Sequence, residues 1–219
     1  MAKIGVILSG SGVYDGSEIH EAVITLLAID RAGAEAVCMA PDINQMHVIN
    51  HLTGEVAEGE ARNVLVESAR IARGNIKNIK DVSIADFDAL MLPGGFGAAK
   101  NLCDFAVNGP DCHVNPDVAK LVQDTVAASK PLAAICIAPA LIAKVLGQSK
   151  SPALTIGTDE DTAGALQTMG AKHVSCPVRE FVVDKENKII TSPAYMLAGN
   201  ISEAAEGIEK TVKTLIEMI

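Results

Sequence analysis

Cys136 is the residue in this chain best placed by its neighbours to act as a nucleophile. It follows the apolar run 131–135, which predicts a buried strand, and it precedes a helix-like stretch ending near Leu146. Ala134 and Ala138, two positions either side, are small enough for the crowded backbone of a nucleophile elbow. A cysteine at this junction would lie at the positive end of a helix dipole, which lowers the pKa of a thiol. The pattern predicts a Cys136 thiolate at neutral pH; the alternative is an inert, buried cysteine.

Gly94 and Gly95 follow a second apolar run, 89–92, after one proline. Glycine has no side chain to obstruct a ligand, so its backbone N–H group can face that ligand directly. Together with the N–H group of Ile137, this turn predicts an oxyanion hole and substrate-binding surface beside the thiol. The alternative is an ordinary turn between a strand and a helix.

Two carboxylates are candidates for moving protons at such a site. Glu18 and Glu21 lie one helical turn apart on the predicted first helix, on nearly the same face. Either could reach over the carboxyl edge of the sheet, where a carboxyl group beside a thiol can act as general acid and base. The alternative is that both are ordinary carboxylates favoured by the dipole at a helix N-terminus.

A histidine base for Cys136 is missing from the positions where a cysteine hydrolase would carry one. The residue after the cysteine is Ile137, and the one histidine downstream, His173, is not followed by an acid that could orient it. His20 lies on the predicted first helix, where we expect it to face solvent or to cap the helix. A Cys–His hydrolase is therefore disfavoured.

The glycine-rich turn 10–16 invites a second interpretation, a dinucleotide or phosphate site. In the full fingerprint a third glycine stands three residues after the second, but here that position is Asp15 and Gly16 comes one residue too late. Asp42, just past the second predicted strand, could mimic the ribose-binding acid. The match is partial, and a binding module of this kind is kept as an alternative.

The elements that would position these residues alternate between strands and helices. Strands are predicted at 3–9, 35–39, 89–92 and 131–135, with a hairpin of 181–184 and 188–191; helices are predicted at 17–31, 58–73, 118–129 and 201–218. Ser17 is the expected cap of the first helix and Gly33 its stop. Alternation of this kind predicts one α/β domain, 1–219, with a mostly parallel sheet covered on both faces. Since ligands bind at the carboxyl ends of parallel strands, both glycine turns and Cys136 should converge at one edge.

The composition of the chain argues against several classes of binding partner. The chain of 219 residues is 49% hydrophobic and 21% charged, and its formal net charge of −9 argues against nucleic acid or an anionic membrane. The five cysteines are widely spaced without a CxxC pair, and neither they nor the histidines show a zinc-binding spacing. We therefore expect no metal and no cofactor. With no secretory signal or long apolar run, the sequence predicts a cytoplasmic protein.

Long segments of the chain resemble the PfpI-like superfamily, which includes the Parkinson-disease deglycase and shares the class I glutamine amidotransferase-like fold. Within it the chain is most similar to the ElbB group, also called sigma cross-reacting protein 27A or isoprenoid-biosynthesis glyoxalase. The resemblance covers essentially the whole chain and is carried by 11–22 (SGVYDGSEIHEA), 50–55 (NHLTGE), 93–102 (PGGFGAAKNL), 136–140 (CIAPA) and 155–159 (TIGTD).

The resemblance implies a flavodoxin-like three-layer sandwich, a homodimer and a reactive elbow cysteine at Cys136. The superfamily glutamate lies twelve residues before the glycine that ends the first helix, and counting back from Gly33 selects Glu21 over Glu18. The oxyanion-hole glycine falls on Gly95. Two departures argue against peptidase activity: proteolytic members have a histidine directly after the cysteine, and the deglycase has one in the loop that here is 155–159.

The resulting hypothesis is a cofactor-free glyoxalase that converts glyoxal to glycolate without glutathione. Cys136 would add to the aldehyde, Gly95 and Ile137 would stabilise the oxyanion, and Glu21 would carry the proton. The first alternative is a redox-sensing or stress-response protein in which Cys136 oxidises without turning over a substrate. The second is the nucleotide- or phosphate-binding module that uses the turn 10–16.

Overall fold

A seven-stranded, mostly parallel sheet organises the chain. The computed structural model describes residues 1–219. The strands of this sheet lie in the order β3-β2-β1-β4-β5-β9-β8, and only β8 runs antiparallel to its neighbour. A separate two-stranded sheet pairs β6 with β7. The strands are β1 (Lys3–Ile7), β2 (Glu35–Ala40), β3 (Lys77–Asn78), β4 (Ala89–Leu92), β5 (Leu132–Ile135), β6 (Ala153–Leu154), β7 (Lys172–His173), β8 (Val182–Asp184) and β9 (Ile189–Ser192).

Helices cover both faces of the large sheet. They are α1 (Ile19–Arg31), α2 (Val64–Ile71), α3 (Phe96–Lys100), α4 (Phe105–Asn108), α5 (Pro116–Ala127), α6 (Pro139–Lys150), α7 (Glu160–Thr168) and α8 (Ile201–Glu217). Side chains of α1 and α8 build the core on one face, and those of α5 and α6 build it on the other. Strand β4 shows the alternation, because Leu90 and Leu92 join one core and Ala89 and Met91 the other. The predicted three-layer α/β sandwich is confirmed.

Two of the predicted helix starts are wrong. The helix predicted over 58–73 is only α2, because the side chain of Asn63 caps Val64–Ile71 by accepting a hydrogen bond from the N–H of Val66. Glu18 caps α1 in place of Ser17, whose hydroxyl instead accepts a hydrogen bond from the N–H of Ser9 at 2.9 Å. In both cases a tertiary or local polar contact decides a boundary that periodicity leaves open.

The carboxyl ends of β1, β4, β5 and β9 meet at one edge of the sheet. Register pairs Val6 with Met91, Leu92 with Ala134, and Ile135 with Ser192. The predicted hairpin of β8 and β9 is confirmed, but β9 also lies parallel to β5, which brings the turn after Ser192 to the same edge. No helix of the chain is both long and apolar enough to cross a bilayer.

Candidate active site

Cys136 lies between β5 and α6 in a strained backbone conformation. Its φ angle is 61°, in the left-handed region that non-glycine residues seldom occupy. The strain is held by packing and by a 3.0 Å hydrogen bond from the Cys136 N–H to the carbonyl of Ser192 on β9. Ala134 and Ala138 on either side are fully buried, as expected for small residues at a crowded elbow. A strained residue at a strand end that leads into a helix is the geometry of a nucleophile elbow.

Glu21 is fully buried beside this elbow. One carboxylate oxygen, Oε2, accepts a hydrogen bond from the N–H of Gly94 at 3.0 Å, and the other, Oε1, accepts one from the N–H of Tyr195 at 3.0 Å. The Cys136 thiol donates a further hydrogen bond to this carboxylate. Three elements, the β4–α3 turn, the β5–α6 elbow and the turn after β9, therefore hold one carboxyl group against one sulfur.

The β4–α3 turn fits this space only because it carries glycine. A Cβ atom added to Gly94 would lie 2.3 Å from Cys136 Cβ, 2.6 Å from Glu21 Oε2 and 2.8 Å from Cys136 Sγ. One added to Gly95, whose φ is 98°, would lie 2.2 Å from the backbone nitrogen of Glu18. The turn thus brings its backbone against the thiol, the carboxylate and the start of α1 at once.

Burial sets the protonation of the pair. The pKa of Glu21 is raised to about 7, mainly because burial removes the carboxyl group from water and also because of the nearby Glu18 charge, against the lowering effect of the hydrogen bonds at its oxygens. Burial and the charge of Glu21 raise the pKa of the Cys136 thiol, while hydrogen bonds from the N–H groups of Gly95 and Ile137 lower it. The expected resting thiolate is therefore wrong. Because two adjacent buried negative charges repel, the carboxyl group of Glu21 loses its proton before the Cys136 thiol does.

A cavity of about 330 Å³ opens above the sulfur. Nine of its twelve lining residues are hydrophobic, and none is Lys or Arg. Cys136, which is 7% exposed, lies at its floor together with Gly95 and Ile137. The wall is formed mainly by Val13, Phe96, Ala99, Phe105, Ala106 and Met196. A small neutral molecule can therefore reach the thiol from one side while the remainder of the site is closed by protein.

The six site residues predicted from the sequence all lie around this thiol, in different positions. Gly95 and Ile137 present their N–H groups to the sulfur. The N–H of Gly94 is occupied by Glu21 and is not free for an oxyanion. Glu18 lines the cavity, but its Oε2 accepts the Glu21 N–H at 2.7 Å as the cap of α1.

Tyr195 is a site residue that the sequence reasoning missed. It lines the cavity, its N–H holds Glu21, and its hydroxyl is 2.8 Å from His20 Nδ1. Its position directly after β9 was the available signal, since that strand is parallel to β5. In the loop 155–159, Thr158 and Asp159 do not line the cavity; Asp159 caps α7, and Thr162 of α7 forms part of the wall.

The glycine N–H groups of the turn 10–16 are paired within the protein. The N–H of Gly10 donates to Ser68 Oγ, that of Gly12 to the Ser17 carbonyl, and that of Gly16 to the Gly12 carbonyl. These three donors are therefore not available to the phosphate that the second interpretation required. No group of three or more His, Cys, Asp or Glu side chains is arranged to hold a metal ion.

Fold and site together define an α/β protein with a cysteine on a strand-to-helix elbow and a buried glutamate beside it. The sequence matches the DJ-1/PfpI family over residues 12–198, and the chain belongs to this family. The resemblance to PfpI-like proteins is therefore confirmed at the level of the family and the fold.

Similar proteins cover nearly the whole chain. The ES1 protein homolog, mitochondrial, of Rattus norvegicus is 46% identical over 99% of this chain and 84% of its own length. Glutamine amidotransferase-like class 1 domain-containing protein 3, mitochondrial, of Homo sapiens is 46% identical over 99% of this chain and 83% of its own length. The crystal structure of an isoprenoid biosynthesis protein with an amidotransferase-like domain from Ehrlichia chaffeensis has a TM-score of 0.92 and 36% identity, with 99% and 100% of the two chains covered.

These comparisons overturn the predicted cytoplasmic location. Both curated relatives carry names that place them in the mitochondrion, at 46% identity over 99% of this chain. The prediction rested on the lack of a secretory signal and of an apolar span. Such features describe only secretion and membrane insertion, and the composition of a folded domain does not specify its compartment.

Proposed function

We propose that this chain is a cofactor-free glyoxalase that uses Cys136 to convert glyoxal, and related α-oxoaldehydes, to α-hydroxy acids such as glycolate. The observation that carries the proposal is the buried Glu21 carboxyl group hydrogen-bonded to Cys136, whose sulfur lines the cavity. Membership in the DJ-1/PfpI family supports a cysteine-based role of this kind.

The reaction begins with proton transfer from the thiol to Glu21. As the Cys136 sulfur attacks the aldehyde carbon, a C–S bond forms and the C=O π electrons move to oxygen. The N–H groups of Gly95 and Ile137, which hydrogen-bond the sulfur in the resting protein, are near enough to stabilise this oxygen. Glu21 returns its proton to that oxygen, which gives a hemithioacetal bound to Cys136 and restores the carboxylate for the next step.

Glu21 then moves one proton between two carbon atoms. It accepts the proton from the former aldehyde carbon, which gives an enediol, and a proton returns to the neighbouring carbon. The first carbon is oxidised to a thioester and the second is reduced to an alcohol, so no external oxidant is required. Water hydrolyses the thioester, which releases the hydroxy acid and restores the thiol. A carboxyl group with a pKa of about 7 can both accept and donate protons near neutral pH.

Glycolate formation from glyoxal, without glutathione or added metal, tests the proposal. Wild type is compared with Cys136→Ala and with Cys38→Ala, a matched loss of a buried thiol on β2 far from the elbow. We expect activity in wild type and Cys38→Ala and none in Cys136→Ala. Equal activity in all three proteins, or none in wild type, would contradict the proposal.

The redox-sensing alternative has less support from the site. Cysteines that are readily oxidised to sulfenic and sulfinic acid are accessible and have a low pKa. Burial instead raises the pKa of Cys136. Intact mass after mild peroxide separates the two functions. Oxygen added at Cys136, in a protein that makes no glycolate, would favour the sensor.

A further inference from the structure

The cavity above Cys136 is much larger than glyoxal requires. Glyoxal has four non-hydrogen atoms, whereas a cavity of about 330 Å³ has the volume of about eleven water molecules at roughly 30 Å³ each. Pockets that hold ligands of drug-like size begin at about 300 Å³. A bound glyoxal would leave most of this space to water or empty.

Polar groups form a minor part of the cavity lining. Beside the thiol of Cys136 and the N–H groups of Gly95 and Ile137, they are the side chains of Glu18, Thr162 and Tyr195. Most of the wall is made of apolar side chains such as Phe96, Phe105 and Met196. A lining of this composition suits a substrate with a small reactive polar group and an apolar remainder.

The charged side chains around the cavity disfavour a substrate whose non-reacting part is an anion. No Lys or Arg lines the cavity, and the carboxyl groups that adjoin it, Glu18 on its wall and Glu21 beneath the thiol, would repel a phosphate or a second carboxylate. The Lys100 ammonium, near the Phe96 ring, already donates to the carbonyl of Tyr14 at 2.9 Å. An apolar, uncharged substituent is the group that gains from burial here.

We infer that the preferred substrate is an α-oxoaldehyde, R–CO–CHO, in which R is an apolar group. The inference rests on the proposed function and deepens it. Counting one heavy atom for each of the roughly eleven water-sized volumes and subtracting the four heavy atoms of the reacting CO–CHO group leaves room for at most about seven carbon atoms in R. The bonds made and broken are those of the glyoxal reaction: the aldehyde carbon is oxidised to a carboxylic acid, the ketone carbon is reduced to an alcohol, and one water is added.

A homologous series tests the inference. Initial rates are measured with glyoxal, methylglyoxal, propylglyoxal and hexylglyoxal at fixed pH, and kcat/KM is compared. Each methylene group that enters the cavity is expected to raise kcat/KM about twofold to fourfold. A flat or falling series, with Cys136-dependent turnover of glyoxal intact, would overturn this inference and leave the proposed function standing.

Ala106 and Val107, which are neighbours on α4, provide a test variant and a matched control. Ala106 lines the cavity, whereas Val107 on the same helix is 64% exposed and does not. We expect Ala106→Phe to lower the ratio of kcat/KM for hexylglyoxal to kcat/KM for glyoxal, because the larger ring fills the space that the hexyl group would occupy. Val107→Phe should behave as wild type with every substrate. A similar loss for both aldehydes in Ala106→Phe would mean that the apolar wall does not select the substituent.

Binding without turnover separates this inference from the chemistry. Unreactive ketones, acetone and its hexyl-substituted analogue octanone, are titrated against the Cys136→Ser protein by thermal shift. Tighter binding of the longer ketone, lost in the Cys136→Ser/Ala106→Phe double variant, is the expected result even if no aldehyde is turned over. Equal binding of both ketones would overturn the inference whatever the activity.

Discussion

Cys136 and Glu21 share one buried space and only one negative charge. The sulfur receives N–H donors from Gly95 and Ile137, and the carboxylate receives them from Gly94 and Tyr195. Each group alone would be a costly buried ion, and two buried negative charges side by side would cost more. In the proposed reaction Cys136 is therefore a thiol at rest, and it passes its proton to the Glu21 carboxylate as the sulfur attacks the aldehyde.

Removing the charge of Glu21 should separate thiol reactivity from turnover. Both the charge and the hydrogen bond of Glu21 raise the pKa of Cys136, so in Glu21→Gln this pKa should fall. Alkylation by iodoacetamide as a function of pH measures the change. Glycolate formation should fall about 10²–10⁴-fold, the usual contribution of a general base. Glu67→Gln, a loss of a buried carboxylate on α2, is the control. Unchanged turnover in Glu21→Gln would reject the role of Glu21.

The pH dependence of the wild type follows from the raised pKa of Glu21. The carboxylate is the active form of a base, so kcat/KM should rise with pH and level off above about 7. The charge of Glu18 raises the pKa of Glu21, so Glu18→Gln should move the midpoint to lower pH. Rates of glyoxal conversion in a constant-ionic-strength buffer series check both statements. A flat profile through neutral pH would contradict them.

For the individual residues of the site, the sequence predicted which ones lie together but not which of them carry a charge. The positions of Cys136 and Gly95 follow from apolar runs that end in small residues, so they could be inferred from the chain alone. The protonation of the thiol could not, because it depends on burial and on Glu21, which lies 115 residues earlier in the chain. Tyr195 was missed because β9, the strand that precedes it, was predicted only as half of a hairpin and not as a neighbour of β5.

Glycines at the β4–α3 turn decide how closely the elements around the site can pack. Cβ atoms added to Gly94, Gly95 or Gly97 would each lie within 2.5 Å of a neighbouring atom, on the elbow, on α1 or in the turn 10–16. Sequence reasoning gave this turn a purely chemical role as N–H donors. The structure adds a packing role, since the short helix α3 begins directly against the loop that precedes α1.

A pair of glycine substitutions should show this packing role. Gly94→Ala places a Cβ 2.3 Å from that of Cys136, and we expect a loss of about 1–3 kcal/mol in the free energy of unfolding, together with loss of glycolate formation. Gly164→Ala, in α7 with no atom within 4 Å of the new Cβ, should gain about 0.5–1 kcal/mol. Urea denaturation measures both changes. A Gly94→Ala protein as stable as wild type would contradict the packing role.

On the scale of the whole molecule, the alternation of strands and helices was enough to predict the fold class, because each βαβ unit is local in sequence. The helix α7 and the strands β6 and β7 of the small sheet lie between 153 and 173, a stretch for which no strand or helix was predicted. These strands are two residues long and depend on contacts made elsewhere. The cytoplasmic location was also predicted wrongly, since neither the core nor the residues around Cys136 encode a compartment.

The surface of α1 bears on the predicted homodimer. Ile19, Val23 and Leu27 recur every fourth residue on this helix, yet they are 45%, 46% and 40% exposed. An apolar stripe at helical spacing that faces solvent is costly in a lone chain and is relieved when a second copy covers it. In a two-fold contact the same stripe on each copy would be buried, so one substitution acts twice.

Placing a charge in this stripe should therefore weaken the predicted homodimer. Burying a valine side chain contributes about 1.5–3 kcal/mol, so Val23→Glu should weaken association at least about tenfold, with two copies of the change at one interface. Val66→Glu, on α2 at 61% exposure, is the matched control and should leave association unchanged. Light scattering after size exclusion across a dilution series measures the mass.

Because α1 also carries Glu21, glycolate formation by the Val23→Glu protein shows whether one chain is enough for activity. Retained activity in a monomer is expected, since Cys136, Glu21, Gly95 and Ile137 meet within one chain. A wild type that is monomeric at all concentrations, or equal dissociation of both variants, would contradict the assignment of this stripe.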